Sequence, residues 1–432
     1  MENIPLIRRK FSITKDNNDK LILVVSIMYL IWLYIYPLFV TMTNYKYIGR
    51  IIIVLLILLL SINKGYRHFL IKFKKLVFFW YAFIMAIIIS TLFSNNPNIN
   101  IMINKILFDI ANCWIVYTAF MYLSFKERNI KILLWTLAVL ALLNSSIALY
   151  GSITGQRILR VEKELVGIGS FGYDPITGRS GGLRGENYMG IWNTPALAFG
   201  LFFLFYTRKF LLKVIALVFA VVSISSLIVS LSRTSVLCGI TVLMISFILF
   251  GKRIFRILII FLFFLVIAYT FSKMLLIKQI SYFSSSAMYH QVKRWSIVNA
   301  LEDVRFKIWT RYLDIATEDP IWGQGPGYIQ EEVASGYFVP HNSFLDVLVE
   351  YGIIGLCLYT IPFISAFSSL LYFMRKKRRS EIWGNISCTI FLGMTVGLFF
   401  LSNPFLEIIW AVGGMLKARA VLGQSKTKFD FY

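Results

Sequence analysis

Apolar segments of about twenty residues recur along most of the chain and alternate with polar connections. Two examples are LILVVSIMYLIWLYIYPLFV at 21–40 and LVFFWYAFIMAIIISTLF at 76–93. A helix of about 20 apolar residues crosses the roughly 30 Å hydrocarbon core of a bilayer. The pattern therefore predicts an all-α integral membrane protein with about twelve transmembrane helices.

The predicted spans and the segments between them set the expected organisation of the chain. We place the spans near 21–40, 46–62, 76–94, 104–124, 132–151, 191–206, 212–231, 235–250, 255–272, 343–373, 382–401 and 403–416. The expected domains are a cytoplasmic tail (1–20), nine spans (21–272) with an outer loop (152–190), a large extracytoplasmic loop (273–342), three spans (343–416) and a cytoplasmic tail (417–432). No cleavable signal peptide is expected, because the first 20 residues are polar and basic.

The composition agrees with a membrane protein and argues against cysteine chemistry. Hydrophobic residues make up 58% of the chain and charged residues only 15%, where a soluble domain has about 25% charged residues. The four cysteines, Cys113, Cys238, Cys357 and Cys388, all lie in predicted spans. We therefore interpret them as small apolar residues, and not as a disulfide set or a metal site.

The net charge of +23 is explained by topology better than by nucleic-acid binding. The short basic connections, such as NKGYRHFLIKFKK and RKKRRSE, and the two termini hold 28 of the 44 Lys and Arg residues. The positive-inside rule places these segments in the cytoplasm, where some of them also contact membrane lipid. No nucleic-acid partner is expected. The long loops at 152–190 and 273–342 then lie outside, and chemistry is expected on that face.

The large outer loop contains an amphipathic helix followed by a glycine-rich turn. In ALEDVRFKIWTRYLDIATEDP, Val304, Ile308, Tyr312 and Ile315 recur at helical spacing, and Asp319-Pro320 ends the run. Arg305 and Trp309 share one face of this helix at i and i+4. The GQGPG segment that follows lacks the Lys-Ser/Thr pair and the preceding strand of a phosphate-binding P-loop. It is predicted to be a turn.

His341 is one of only three histidines and lies next to the start of an apolar helix. Asn342 or Ser343 can cap this helix, and Ser343 with Asp346 fits the S-x-x-D capping box. A helix N-terminus favours a bound anion, which makes His341 a candidate site residue. The alternative is a solvated loop residue or an aromatic residue at the membrane interface.

Arg233 is the second candidate, in the turn SRTS between two apolar runs. On the outer side the positive-inside rule gives no reason for an arginine. One interpretation is an anion clamp, because a guanidinium group grips phosphate with a planar fork. The other is a side chain that snorkels to the lipid headgroups.

Three segments together resemble the O-antigen ligase and polymerase superfamily. They are LSRTS (231–235), RFKIWTRYLDIATEDPIWGQGPG (305–327) and HNSFLDVLVEYGIIGLCLY (341–359). In that family a basic turn with serine precedes a span, an Arg-x-x-x-Trp helix leads into a Pro-x-x-Gly-x-Gly turn, and His-Asn-x-x-Leu opens the next helix. The segment RSGGLRGENYMGIWN (179–193) is a weaker likeness.

The resemblance implies transfer of a glycan from a polyprenyl diphosphate to an acceptor hydroxyl, by an inverting, metal-independent glycosyltransferase similar to the GT-C class. It implies that His341 is a general base or orients the acceptor, and that Arg233 and Arg305 hold the diphosphate. Independently, histidine suits proton removal near neutral pH, and arginines stabilise charge on a leaving diphosphate. Further substrate-binding candidates are Arg184, Arg179, Arg311, Asn342 and Trp309. No metal site and no cofactor are expected.

The expected partners and location follow from the same resemblance. The donor is an undecaprenyl (polyprenyl) diphosphate-linked glycan, and the acceptor is a glycan or a lipid-linked glycan. A flippase and a chain-length regulator are further candidate partners. The expected location is the bacterial cytoplasmic (inner) membrane, with the active site on the extracytoplasmic side.

Three functions remain open at this point. A polymerase joins lipid-linked repeat units into O-antigen or capsule, and the bias towards Lys, Ile, Asn and Phe, typical of low-GC bacteria, favours this function by association. A ligase moves the finished glycan to lipid A core or to a protein. A transporter is the remote alternative, since it needs polar groups near the bilayer midplane, where Asp109 is an exception together with Lys105 near the outer end of the same span.

Overall fold

The structure is a computed structural model. The described residues are 18–36, 45–94, 98–154, 157–159, 171–174, 179–181, 183, 187–230, 232–250, 304–375 and 381–428. The predicted span at 255–272 lies outside them. Contacts divide the chain into two compact units, Met1–Leu137 with Ile308–Tyr432 and Ala138–Lys307.

The regular elements among the described residues are helices, apart from three short strands. The helices are α1 Asn18–Ile35, α2 Tyr45–Ile62, α3 Lys64–Lys72, α4 Lys74–Phe93, α5 Ile99–Asn104, α6 Ala111–Ser124, α7 Glu127–Thr154, α8 Met189–Tyr206, α9 Phe210–Val229, α10 Arg233–Phe250, α11 Val304–Glu318, α12 Tyr328–Ala334, α13 Ser343–Arg375, α14 Ile382–Leu398 and α15 Glu407–Lys428. A π-helical turn, Lys105–Ile110, joins α5 to α6. Strands β1 Arg157–Leu159, β2 Phe171–Asp174 and β3 Arg179–Ser180 form an antiparallel sheet in that order.

Seven helices of the described part are long and apolar enough to cross a membrane. They are Asn18–Ile35, Lys74–Phe93, Ile99–Ser124, Glu127–Thr154, Met189–Tyr206, Phe210–Val229 and Ser343–Phe373. An eighth candidate is the pair Tyr47–Ile62 and Lys64–Lys72, which bends by 83°. Integral membrane character is therefore confirmed.

The number of about twelve spans is not confirmed. The apolar helices Arg233–Leu249 and Ile382–Leu398 are shorter than the seven candidates. The predicted span at 403–416 overlaps α15, which begins only at Glu407, runs to Lys428 and contains Lys417 and Arg419. These segments are helical, but they are too short or carry too many charged residues to count among the helices that can cross a membrane.

The first unit is built around α6, α13, α14 and α15. The backbone of α15 packs closely on α6, because a Cβ atom on Gly414 would collide with the carbonyl oxygen of Tyr117. Small residues at such contacts are typical of helices that pack in membranes. Aromatic rings fill the centre: the ring centroids of Trp80 and Trp410 lie 5.1 Å apart, and those of Tyr359 and Trp410 lie 6.0 Å apart.

A buried polar network holds the bend between α2 and α3. Asn63 caps α3 by accepting a hydrogen bond from the Tyr66 N–H (2.7 Å). Asn63 Nδ2 also donates to Asp19 Oδ1 (3.1 Å), and the Tyr122 hydroxyl donates to the same oxygen (2.8 Å). The other oxygen of Asp19 forms an ion pair with Lys126. Each buried polar group of the bend thus has a partner, as burial requires.

The second unit packs α8 against α9 and α10 through small and polar residues. A Cβ atom on Gly190 would lie 2.6 Å from the Ser235 Cα atom, and the Gly190 N–H donates to Ser235 Oγ (2.9 Å). Asn193 is fully buried and donates to the Ser223 carbonyl and to Ser226 Oγ, each at 2.7 Å. Interhelical hydrogen bonds of this kind hold helices together where there is no water.

Candidate functional site

Helix α11 is the predicted amphipathic helix, and it attaches to the segment that precedes His341. The Trp309 Nε1–H donates to the carbonyl oxygen of Pro340 (2.7 Å). One turn further on, the Tyr312 hydroxyl donates to the carbonyl oxygen of Phe338 (3.2 Å). Burial raises the pKa of Tyr312 to about 12, so this hydroxyl keeps its proton near neutral pH.

An apolar core fixes α11 and α12 against the first turns of α13. Its buried members are Tyr312, Ile315, Ala316, Ile329, Leu345 and Val349. Ile308, Trp309, Tyr328 and Leu348 pack around them. Because three separate helices contribute to this core, the start of α13 is fixed against α11 and α12 by packing.

His341 has a left-handed backbone conformation. Its φ of 52° is the one positive φ at a non-glycine residue within the described ranges. Such a conformation is uncommon outside glycine, and it persists where surrounding contacts enforce it, often at functional sites. The side chain is half-buried. His341 immediately precedes the residue that caps α13, so the imidazole lies beside a helix N-terminus.

The cap of α13 is Asn342, and the predicted capping box between Ser343 and Asp346 does not form. Asn342 Oδ1 accepts hydrogen bonds from the N–H groups of Phe344 (3.0 Å) and Leu345 (3.2 Å). Ser343 is instead turned towards the connection between α14 and α15. Its hydroxyl donates to the Leu401 carbonyl oxygen and accepts from the Asn403 N–H. These tertiary bonds outcompete the local cap.

Asp346 strengthens the same attachment. Its Oδ1 atom accepts a hydrogen bond from the Ser402 hydroxyl (3.1 Å), and the residue is only 5% exposed. The helix start therefore contacts three consecutive residues, 401–403, through two of its own side chains. This connection fixes the start of the helix that follows His341.

Helix α13 breaks at Gly352, where φ is 63° and ψ is −168°. We call residues 343–351 the site helix and residues 323–327 the glycine turn. The glycine turn is the predicted turn, with positive φ at Gly323 (74°), Gly325 (94°) and Gly327 (94°). Only glycine adopts these angles without strain.

The glycine turn supplies hydrogen bonds to the backbone at the break. The Gln324 N–H donates to the Val349 carbonyl oxygen (2.8 Å), and the Gly325 N–H donates to the Glu350 carbonyl oxygen (3.0 Å). On the other side of the break, the Ile353 N–H donates to the Pro320 carbonyl oxygen (2.9 Å). A helix break inside a membrane protein needs such partners, because unpaired backbone groups are costly in a dry environment.

Arg233 and Arg305, the candidates for binding diphosphate, belong to the unit of residues 138–307, whereas His341 belongs to the other unit. Arg233 is the first residue of α10 and is half-buried. Arg305 lies near the start of α11, one turn before Trp309. The structure thus brings Trp309, Asn342 and His341 together within one unit, while the convergence of the two arginines on His341 stays a prediction.

The secondary candidates have different outcomes. Arg311 forms an ion pair with Glu332 (2.8 Å), and its guanidinium carbon lies 3.5 Å from the centre of the Tyr337 ring. The bond to Glu332 raises the pKa of Arg311. Arg179 belongs to strand β3, and Arg184 lies outside the described residues.

One family matches the region that contains most of these residues. The family model Wzy_C, described as O-Antigen ligase, matches residues 218–360. We refer to the matched residues as the O-antigen ligase domain. No curated protein matches the chain. The O-antigen ligase domain confirms the resemblance to the ligase and polymerase superfamily, and it supports a membrane glycan ligase or polymerase function with a lipid-linked glycan as substrate.

The match includes both principal arginines and His341. It covers Arg233, Arg305, Trp309, Arg311 and His341, and it ends inside α13. Arg179 and Arg184 precede it. Together with the apolar helices, this match supports a multi-pass membrane protein. No cluster of three His, Cys, Asp or Glu residues with the geometry of a metal site occurs among the described residues.

Sequence reasoning missed Glu350, which lies in the O-antigen ligase domain and is 4% exposed. Its carboxylate forms an ion pair with Lys105, whose side chain is 13% exposed. The sequence did contain a signal for Glu350, since it is a charged residue in an apolar segment. Such residues are rare and mark functional or structural sites. Lys105 was considered for a transporter, but its partner is 245 residues away in the sequence.

Proposed function

We propose that the chain is a membrane glycosyltransferase that polymerises polyprenyl-diphosphate-linked repeat units into a surface polysaccharide, O-antigen or capsule. The observation that carries this proposal is the left-handed backbone of His341 directly before the site helix, inside a segment that matches the O-antigen ligase family. A strained residue held by neighbouring contacts is preorganised for one orientation.

The reaction is a displacement at the anomeric carbon of the donor sugar. The acceptor hydroxyl oxygen forms the new glycosidic bond, and the bond between the anomeric carbon and the phosphate oxygen breaks with its electron pair going to the diphosphate. His341 takes the proton of the acceptor hydroxyl as general base. Arg233 and Arg305 stabilise the negative charge that develops on the diphosphate. Attack opposite the leaving group inverts the anomeric configuration.

We propose that this chemistry takes place on the extracytoplasmic face of the cytoplasmic membrane. The basic connections, which include RKKRRSE between α13 and α14, face the cytoplasm by the positive-inside rule. His341 is at the opposite end of α13 from this connection, which supports an outer location for the imidazole. The full span count of about twelve and a likeness to metal-independent GT-C enzymes belong to the same proposal.

Trp309 and Asn342 have supporting roles in this proposal. Trp309 donates its indole N–H to the Pro340 carbonyl oxygen and so orients the backbone before His341. Asn342 uses its side-chain oxygen to cap the site helix. A flippase that delivers the lipid-linked donor and a chain-length regulator are the expected protein partners.

A ligase is the second candidate, and the description of the matching family as O-Antigen ligase favours it. A ligase uses the same donor site but transfers the finished glycan to lipid A core or to a protein. The two functions differ in the acceptor, and therefore in what accumulates when the protein is absent.

Deletion of the gene followed by gel analysis of the glycans separates the two functions. Single repeat units on lipid A core or on the carrier lipid indicate a lost polymerase, whereas full-length chains on the polyprenyl carrier indicate a lost ligase. Complementation with Arg233→Ala or Arg305→Ala is expected to fail at normal protein level, with a loss of about 10²–10³-fold for each charge-stabilising group. Full complementation by both variants would contradict the assigned arginine roles.

A further inference from the structure

Glu350 lies where the glycine turn, the break in α13 and the π-helical turn meet. Its side chain is 5% exposed, and its Oε2 atom forms an ion pair with Lys105. Its Oε1 atom accepts a hydrogen bond from the Gly327 N–H (3.0 Å). Its backbone carbonyl oxygen accepts from the Ser90 hydroxyl (2.7 Å) as well as from Gly325. One residue thus connects α4, the π-helical turn, the glycine turn and the site helix.

At this point Lys105 forms an ion pair with one carboxylate and interacts electrostatically with two more. Asp109 and Asp346 both interact electrostatically with Lys105 and Glu350. Lys105 also approaches the ring of Tyr351, with its Nζ atom 5.9 Å from the ring centre. Loss of the lysine charge leaves buried carboxylates without their cation, which is unfavourable in a dry environment.

The site helix transmits the position of Glu350 to His341. Nine residues at about 1.5 Å each make a rod of about 13 Å. Its N-terminal end is held by the hydrogen bonds of Ser343, and its C-terminal end by the contacts of Glu350. There is no flexible connection between the two ends, so a displacement at Glu350 moves the residue that precedes Asn342. A shift of about 1 Å at a reacting group costs about 10²-fold in rate.

We propose that Glu350 and Lys105 are positioning residues for His341. Their ion pair, together with the hydrogen bond from Gly327, holds the site helix in the register that keeps the imidazole in place. This inference rests on the proposed function, in which His341 acts on the acceptor hydroxyl. Neither residue touches the substrate in this role.

Three variants separate the charge of the pair from the hydrogen bond to Gly327. Lys105→Met leaves Glu350 buried without its cation. In Lys105→Met with Glu350→Gln both charges are gone, but the amide oxygen still accepts from the Gly327 N–H. In Lys105→Met with Glu350→Ala the acceptor is lost too. Lys126→Met is the matched control, because Lys126 also pairs with a buried carboxylate in the same unit.

The assay uses the full-length protein in proteoliposomes, with lipid-linked repeat units extracted from the deletion strain as donor and acceptor. We expect Lys105→Met to lower kcat per folded molecule by about 10²-fold while KM for the lipid-linked substrate is unchanged. Lys105→Met with Glu350→Gln should recover most of this loss, whereas the variant with Glu350→Ala should not. Lys126→Met should keep the wild-type kcat.

A second readout follows His341 directly. In a background with His68→Asn and His290→Asn, His341 is the remaining histidine, and the formation of carbethoxyhistidine by diethyl pyrocarbonate reports on it alone. We expect faster modification in Lys105→Met than in the parent, and the parent rate once Glu350→Gln is added. A role in stability alone would lower the amount of folded protein and leave both this rate and kcat unchanged, which would overturn the proposal.

The outcomes also separate this inference from the proposed function. If His341→Ala keeps wild-type turnover, the base assignment fails, and the positioning role fails with it. If His341→Ala is inactive but Lys105→Met turns over at the wild-type rate, only the positioning role of the ion pair is wrong.

Discussion

Two ion pairs, each between a buried carboxylate and a lysine, lie in the same compact unit, and each is located at a bend in the backbone. Asp19 and Lys126 lie at the 83° bend between α2 and α3. Glu350 and Lys105 lie at the break in α13. The chemistry of the two pairs is similar, but their surroundings differ.

The two pairs differ in the groups that donate hydrogen bonds to the carboxylate and in the exposed fraction of the lysine side chain. Asp19 accepts hydrogen bonds from two side chains, Asn63 and Tyr122, and its partner Lys126 is 37% exposed. Glu350 holds the backbone of the glycine turn, and Lys105 is only 13% exposed. The first pair stabilises a bend outside the O-antigen ligase domain, whereas Glu350 lies inside it. Whether such an ion pair is related to function therefore depends on which segments of the chain it connects.

Replacement of one histidine near each ion pair should give the largest difference in glycan transfer activity between the two regions. His341→Ala is expected to lower glycan transfer by about 10²–10⁴-fold, the usual contribution of a general base. His68→Ala, on α3 near the Asp19 network and exposed, should leave transfer unchanged. Both variants should be present at the wild-type protein level. Transfer is measured from glycan gels and from turnover in proteoliposomes, and near wild-type product from His341→Ala would refute the assignment.

Replacement of each lysine compares the stability of the two pairs. Lys105→Met should lower the free energy of unfolding by about 3–5 kcal/mol, because it leaves a buried carboxylate without a cation. Lys126→Met should lower it by about 0–1 kcal/mol, because Lys126 reaches water and Asp19 keeps two hydrogen bonds. Denaturation of the purified protein measures both values. Equal losses would show that exposure of the lysine does not distinguish the pairs.

Two glycines with positive φ test how closely the segment before the glycine turn packs on the break in α13. Gly352→Ala and Gly336→Ala both strain the backbone, since φ is 63° and 94° respectively. A Cβ atom at Gly352 would also collide with the Ile321 carbonyl group, whereas nothing lies within 4 Å of one at Gly336. Gly352→Ala should therefore be less stable than Gly336→Ala by about 1–3 kcal/mol. Denaturation midpoints measure this difference, and similar midpoints would argue against a tight contact at the break.

Removal of divalent cations should have the smallest effect of these changes, because no metal ion is expected to take part in glycan transfer. The proposed partners of the diphosphate are guanidinium groups, which supply positive charge without a metal ion. Activity in proteoliposomes should be the same before and after EDTA treatment. A loss of activity that added Mg²⁺ restores would contradict the proposal.

Local features of the site were predictable because each depends on a few neighbouring residues. The period of apolar residues predicted α11, and the structure ends this helix at Glu318, directly before Asp319-Pro320. The glycines of GQGPG predicted a turn, which the structure confirms with three positive φ angles. Asn342 was one of two candidates for the cap, and it is the residue that caps. Backbone preferences of Gly, Pro and Asn act within a few residues.

Other features were not predictable because their partners are distant in the sequence. Ser343 and Asp346 matched a capping box, but the chain at 401–403 offers Ser343 tertiary hydrogen bonds instead. The span count of about twelve was not confirmed, since hydropathy alone does not locate the 83° bend at Asn63 or the ends of short helices. The bend depends on Asp19, 44 residues before Asn63.

The sequence by itself determined that this protein is an integral membrane protein with an amphipathic helix, a glycine turn and a histidine at a helix start, because hydrophobic period and backbone preference are local properties. Only the tertiary structure decided that Glu350 pairs with Lys105 and that the backbone of His341 is left-handed. It also decided that the glycine turn donates hydrogen bonds to the backbone at the break in α13. These features require groups from distant segments to meet in a dry interior, where each buried charge and each open backbone group needs a partner.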